Sequence, residues 1–210
     1  MTFLLCVLVA YLIGSISFAL LASWLFRLPD PRSYGSGNPG ATNVLRSGKK
    51  AAAIFTLIGD AAKGLLAVML AKLLAPSLGL GAGEIAVCGL AALLGHLYPL
   101  YFGFRGGKGV ATALGVLLGL NVTLALAALL TFIVVALVSR YVSLASVVAA
   151  IVAAALSPWL LGWGQAAIAV ITLCGMVVWR HRANMQRLFS GTENRLKSRR
   201  RGDPPPGPAV

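Results

Sequence analysis

Three polar stretches interrupt an otherwise apolar chain, and each holds residue types that bind anions. The first, GSGNPGATN from Gly35 to Asn43, places Gly35, Gly37 and Gly40 at the spacing of a dinucleotide-binding turn, with Asp60 where a ribose-binding acid would stand. Context excludes that reading, because such a turn follows a buried β-strand and opens a helix inside a βαβ unit. Here the glycines follow an apolar run and the polar RLPDPRSY, and Asp60 lies within the next apolar run. The glycines, Gly37 among them, still let backbone N–H groups approach an anion, and Ser36, Thr42 and Asn43 add side-chain donors. The stretch reads as an anion cradle.

The second stretch, FRGGKGVAT from Phe104 to Thr112, is not a Walker loop: Phe102 stands where the first Gly should be, and Gly109 follows the Lys in place of Ser or Thr. Gly106, Gly107 and Gly109 nevertheless surround Lys108 and lead straight into an apolar helix, whose N-terminal N–H groups and dipole favour phosphate. A connector with a snorkelling Lys would explain one such loop. Two glycine-rich basic loops on one face weigh against it.

The third stretch is RHRANMQRLFSGTEN, Arg180 to Asn194. Helical spacing predicts Arg180, Asn184 and Arg187 on one face and a stop at Gly191. A basic interfacial helix fits equally, but His181, Asn184 and Glu193 are more than lipid binding requires. Elsewhere, Asp60 and Lys63 stand at i, i+3 inside an apolar run, where a charge costs upward of about 2.5 kcal/mol. Mutual pairing in support of the site is expected. Ser143 and Ser146 open a later run as caps or as site residues, and His96 in GHLYP is either a buried hydrogen-bonding His or part of the site. Cys6, Cys88 and Cys174 lie far apart in apolar runs, which predicts neither a disulfide nor a metal site.

The elements that position these groups follow from composition. Of 210 residues 59% are apolar and 11% charged, and the mean hydropathy is +0.88. This is an integral membrane protein, since about 20 apolar residues in helical form cross the hydrocarbon layer with every backbone group satisfied. Apolar runs fall near 3–26, 51–75, 84–103, 109–138, 143–161 and 165–179. The first has no Lys or Arg before Arg27 and no small-residue cleavage site, so a retained span is expected rather than a signal peptide.

All but two of the 18 Lys and Arg residues, Lys63 and Lys72, fall in the first and third loops, after the 109–138 run and in the tail, whereas PSLGLGAGE at 76–84 has no base. The positive-inside rule then places those loops and the tail in the cytoplasm and the N-terminus outside. Parity requires an odd number of spans, so the 109–138 run should cross twice, turning near Gly119 to Thr123, with each half short. An all-α polytopic fold is expected: seven transmembrane helices, two of them short, in one membrane-embedded domain over 1–194. The basic, proline-rich 195–210 is expected to be a disordered cytoplasmic tail. The net charge of +13 points to anionic headgroups or substrates, not to nucleic acid.

Together GSGNPGATNVLR, GHLYPLYFGFRGGKGVAT and RHRANMQRLFSGTEN resemble the three motifs of the bacterial acyl-phosphate-dependent glycerol-3-phosphate acyltransferases, the PlsY family. The resemblance runs from the first span to about Asn194, with Arg105 where Lys is usual and Tyr98 where Phe is usual. It implies transfer of a fatty acyl group from acyl phosphate to the 1-hydroxyl of glycerol 3-phosphate, giving lysophosphatidate and phosphate in phospholipid synthesis. It also implies a multi-pass protein of the bacterial inner membrane, with its site on the cytoplasmic face and with acyl phosphate, glycerol 3-phosphate and membrane lipid as partners. The donor would be handed over by the soluble enzyme that makes it, and no cofactor is implied. Carried over, the first motif offers Ser36, Asn38, Thr42, Asn43 and Arg46. The second offers His96 and Gly106, Gly107 and Gly109 around Lys108, associated with glycerol phosphate. The third offers His181, Asn184, Arg187 and Glu193, while Ser143 or Ser146 matches a further site position.

The residues agree with that chemistry. Two phosphates of nearly two charges each need clustered Arg, Lys and backbone donors. The His-x4-Asp signature of other acyltransferases is absent, since Tyr101 and Gln186 stand five positions after His96 and His181. Acyl phosphate is an activated mixed anhydride, so orientation and charge stabilisation can carry much of the barrier. Direct attack is therefore expected, with Ser36, Arg46, Lys108, Asn184 and His181 as the catalytic set. Ser36, Arg46 and Lys108 would hold charge, and the donor's own phosphate would accept the proton, with His181 the weaker candidate. Ser36 as nucleophile is the competing view. The rival classes are a secondary transporter of an organic phosphate, for which no internal repeat is visible, and a lipid anchor, which would not need the glycine loops.

Overall fold

The computed structural model describes residues 2–196, and among them every regular element is helical. The helices are α1 (Thr2–Gly14), α2 (Phe18–Leu25), the single turn α3 (Ala41–Val44), α4 (Lys50–Leu78), α5 (Ala82–Leu97), α6 (Val110–Leu120), α7 (Val122–Ser139), α8 (Val142–Leu161), α9 (Gln165–Arg180) and α10 (Arg182–Phe189). Five stretches are long and apolar enough to cross a membrane: Thr2–Leu25, Lys50–Leu78, Ala82–Phe102, Val122–Ser139 and Val142–Leu161. A sixth appears if α9 and α10, bent by 50°, count as one. The 11 residues of α6 are too few to cross alone.

Two breaks interrupt the apolar runs. Between α1 and α2 the helix opens over Ser15 to Ser17, and the Ile16 carbonyl accepts a hydrogen bond from Lys63 Nζ of α4 at 2.6 Å. Lys63 also stands 3.0 Å from Asp60 Oδ1, so the expected pairing is present. Between α6 and α7 the break falls at Asn121, inside the expected turn. Its Oδ1 accepts the Leu124 N–H at 3.0 Å as an N-cap, and its Nδ2 donates to the Leu160 carbonyl at 3.2 Å. The halves are unequal, 11 and 18 residues, so α7, expected to be short, reaches the length of a span.

Small residues set the seams, as membrane helices require when lipid is as apolar as Leu. A Cβ on Gly115 would collide with the Ala61 carbonyl and one on Gly64 with the Thr112 carbonyl, so α4 and α6 pack backbone to backbone. Gly14 and Gly95 do the same for α1 and α5 against Ala92 and Tyr11. The core is filled by Leu93, Leu97, Val116, Leu124 and Leu173, while Leu73, Leu137, Val138, Trp159 and Ile168 stay exposed, as suits a lipid-facing surface. The start of the expected tail is tied down: Leu196 N–H donates to the Arg140 carbonyl at 2.8 Å and Arg195 Nε to the Tyr141 hydroxyl at 2.8 Å. The rest of that segment, 197–210, lies outside the described residues.

Candidate active site

Lys108 stands one residue before Gly109, which opens α6 with φ +82°, and a Cβ there would strike Leu93. The chain can thus turn tightly from the loop into the helix only with glycine. Lys108 Nζ donates to Asn184 Oδ1 at 2.6 Å, and Asn184 Nδ2 donates to Glu193 Oε1 at 2.6 Å. The same carboxylate accepts from Ser143 Oγ at 2.7 Å and from Arg187 Nε at 2.9 Å. Residues of α8 and α10 therefore meet on one carboxylate, and the Lys108 loop joins them through Asn184. Burial raises the Glu193 carboxyl, but hydrogen bonds from Asn184, Ser143 and Arg187 outweigh it and hold the group below its usual range, ionised. Burial pulls the Lys108 ammonium down to about 8; Glu193 opposes the shift, while Arg187, Arg180 and Arg46 add to it. The site is short of anions.

The helix expected through 180–187 breaks instead at His181, and this corrects the single face predicted for Arg180, Asn184 and Arg187. Arg180 turns back on the glycine loop, donating through Nε to the Gly107 carbonyl at 3.1 Å and through Nη2 to the Gly106 carbonyl at 3.0 Å. Its guanidinium also lies 5.6 Å from the Tyr98 ring centre. Asn184 and Arg187 face Glu193. The buried His181 ring places Nδ1 2.8 Å from the Val177 carbonyl, so the neutral ring donates there and keeps a lone pair on Nε2.

The first motif forms a compact hairpin around buried Asn43. Asn43 Nδ2 donates to the carbonyls of Pro31 at 2.6 Å and Tyr34 at 3.1 Å, and its Oδ1 accepts the Ser36 N–H at 2.9 Å. Gly35, at φ +60°, has that Oδ1 where a Cβ would be, with Arg46 Nη1 alongside. Asn43 is thus a scaffold of the loop, whereas Ser36, Gly37 and Thr42 are exposed and Asn38 is partly so. The hairpin reaches the second motif where the Pro39 carbonyl closes on Gly107.

Of the two serines, Ser143 joins the Glu193 cluster and Ser146 Oγ donates to the Val142 carbonyl of its own helix at 2.8 Å. His96 stands outside the Lys108 cluster, buried beneath the loop, with Nδ1 3.5 Å from Asp60 Oδ1 and its carbonyl accepting the Gly107 N–H at 3.2 Å. Sequence reasoning missed the Arg180 bracing of the loop. An Arg at the last residue of a span is an ordinary boundary signal, and only the bend at His181 separates it from Asn184.

Fold and site together define an integral membrane protein in which cationic and hydrogen-bonding side chains cluster at one end of a helical bundle. Comparison with known proteins narrows this class. The family model for glycerol-3-phosphate acyltransferase matches residues 4–191, and the chain belongs to that family. The chain is similar to the glycerol-3-phosphate acyltransferases of Nitrosomonas eutropha, 54% identical over 187 residues (89% of this chain, 94% of the relative), and Thiobacillus denitrificans, 52% identical over 199 residues (95% and 100%). Its fold is similar to the crystal structure of PlsY (YgiH), an integral membrane glycerol 3-phosphate acyltransferase, in its glycerol 3-phosphate form. That match has a TM-score of 0.85 and 39% identity over 94% of this chain and 96% of that one. The lysophosphatidic acid form of PlsY matches with a TM-score of 0.84 and 38% identity, at the same coverage.

Proposed function

We propose that this acyltransferase moves a fatty acyl group from acyl phosphate to the 1-hydroxyl of glycerol 3-phosphate, releasing lysophosphatidate and inorganic phosphate. The carrying observation is the gathering of Arg187, Arg180 and Arg46 about Lys108 with a single carboxylate, Glu193, among them, an excess of cations that two phosphates would balance. The Gly106–Gly109 loop with Lys108 holds the phosphate of glycerol phosphate, and Ser36 and Arg46 on the facing hairpin hold the donor's. The glycerol oxygen forms the new ester bond at the acyl carbonyl, the carbonyl-to-phosphate C–O bond breaks, and its electron pair leaves on phosphate. The hydroxyl proton passes to a phosphate oxygen. A phosphate oxygen, with a second pKa of about 6 and already part of the substrate, suits that role better than the buried ring of His181.

Direct attack is supported by the surroundings of Ser36. Among the described residues no hydrogen bond joins its hydroxyl to a His or a carboxylate of the kind that activates a serine nucleophile. Seven spans, counting α6 and the α9–α10 pair, would put the N-terminus outside and the site on the cytoplasmic face of the bacterial inner membrane. There the donor would arrive from the soluble enzyme that makes it. The decisive experiment incubates purified protein with glycerol 3-phosphate and either acyl phosphate or acyl-CoA, and quenches a parallel reaction lacking glycerol phosphate for mass spectrometry. Lysophosphatidate from acyl phosphate alone, with no acylated protein, is expected. Comparable turnover with acyl-CoA would refute the donor, and a kinetically competent acyl ester on Ser36 would refute direct attack.

A further inference from the structure

Beneath the glycine loop lies an ion pair that the reaction itself does not use. Asp60 and Lys63 are each 3% exposed. Lys63 binds the Ile16 carbonyl at the α1–α2 break, and Asp60 faces both Lys63 and His96 Nδ1. The other side of the same imidazole, Nε2, stands where a Cβ of Gly107 would be, and the His96 carbonyl holds the Gly107 N–H. Ser15, Ile16, Lys63, His96, Gly106 and Gly107 line one small cavity, so the break, the pair and the loop are parts of a single assembly.

We propose that Asp60 and Lys63 are positioning residues: through His96 they fix the Gly106–Gly109 loop against the break in the first span, and so fix where Lys108 meets phosphate. Stability alone does not account for the pair, because replacing a buried ion pair with apolar residues of similar volume is often neutral or stabilising. Apolar contacts, however, tolerate sliding. A charged group held on a carbonyl at one end and a carboxylate at the other sets three segments in one register, and Lys108 is the residue next to Gly107. Small displacements of a loop that orients a reactant are expensive in rate and affinity.

The proposal rests on reading the loop as the cradle for glycerol phosphate. Its test measures KM and kcat for both substrates in the Asp60→Asn variant, the Asp60→Asn/Lys63→Met double variant and the charge-retaining Lys63→Arg variant, with thermal unfolding of each in detergent. The double variant leaves no uncompensated buried charge. It is expected to unfold near the wild-type temperature, yet with KM for glycerol phosphate raised about tenfold or more and KM for acyl phosphate changed much less. The Lys63→Arg variant should recover most of that affinity. A double variant with wild-type KM values overturns the proposal, and so does one that yields no folded enzyme, since the pair would then serve the bundle rather than the loop. A wild-type enzyme inactive with these substrates would instead overturn the proposed reaction, and this inference with it.

Discussion

Asn184 uses both ends of its amide, one toward Lys108 and one toward Glu193, so the ammonium is held ready by a neutral group and does not collapse onto the carboxylate. An ammonium held this way keeps its charge for a phosphate. Lys108→Ala should therefore lower kcat/KM about a hundredfold or more, the size of effect seen when one strong charge-stabilising donor is removed. Titration gives a second readout. A lysine lowered to about 8 is charged below that pH and loses its proton as pH rises through it, so kcat/KM should fall on the alkaline side near pH 8. Lys108→Arg, wherever it retains activity, should move that limb upward; an unmoved limb would assign it to another group. At this scale the sequence was informative about residue types and less so about partners. Lys108, Asn184, Arg187 and Glu193 stood out by company, but Ser143 and Ser146 share a helix face, and what separates them is a carboxylate fifty residues further on. Asn43, an expected ligand, is committed to the backbone of its own hairpin.

Helix boundaries follow the apolar runs closely, because a span must be as long as the layer it crosses. The Asn121 break was readable for the same reason: one run was too long for one span. The Ser15 to Ser17 break was not, since Ile16 and Phe18 keep the run apolar and serine is tolerated within membrane helices. Its cause lies 47 residues away, in the lysine that takes up the Ile16 carbonyl. Nor did the pattern show which glycines are seams, because close approach is a property of two helices. The α4–α6 seam offers a test. Gly115→Ala would press a methyl group into the Ala61 carbonyl, forcing the helices apart at a cost of about 1–3 kcal/mol. Thermal unfolding in detergent should show the loss, and an unchanged midpoint would mean that the seam relaxes freely.

For the molecule as a whole, charge distribution and parity call for an exit at the α4–α5 turn opposite the site. With Cys6, Cys88 and Cys174 replaced, a cysteine at Ser77 should react with a membrane-impermeant maleimide in intact cells, and one at Asn194 only after lysis. Labelling of both from the same side would sink the seven-span arrangement. The shortest element carries a mechanical consequence. At 11 residues and 1.5 Å per residue, α6 is about 16 Å long, roughly half the hydrocarbon thickness of an ordinary bilayer. The helix that begins at the phosphate loop thus ends well short of the far surface, and where its exposed Leu118 side meets lipid the layer must thin to match. Thicker membranes would resist that deformation and strain the loop at its root. Reconstituted into lipids of increasing chain length, the enzyme should lose kcat/KM as the bilayer thickens, with the decline blunted when short-chain lipid is mixed in to relieve the mismatch.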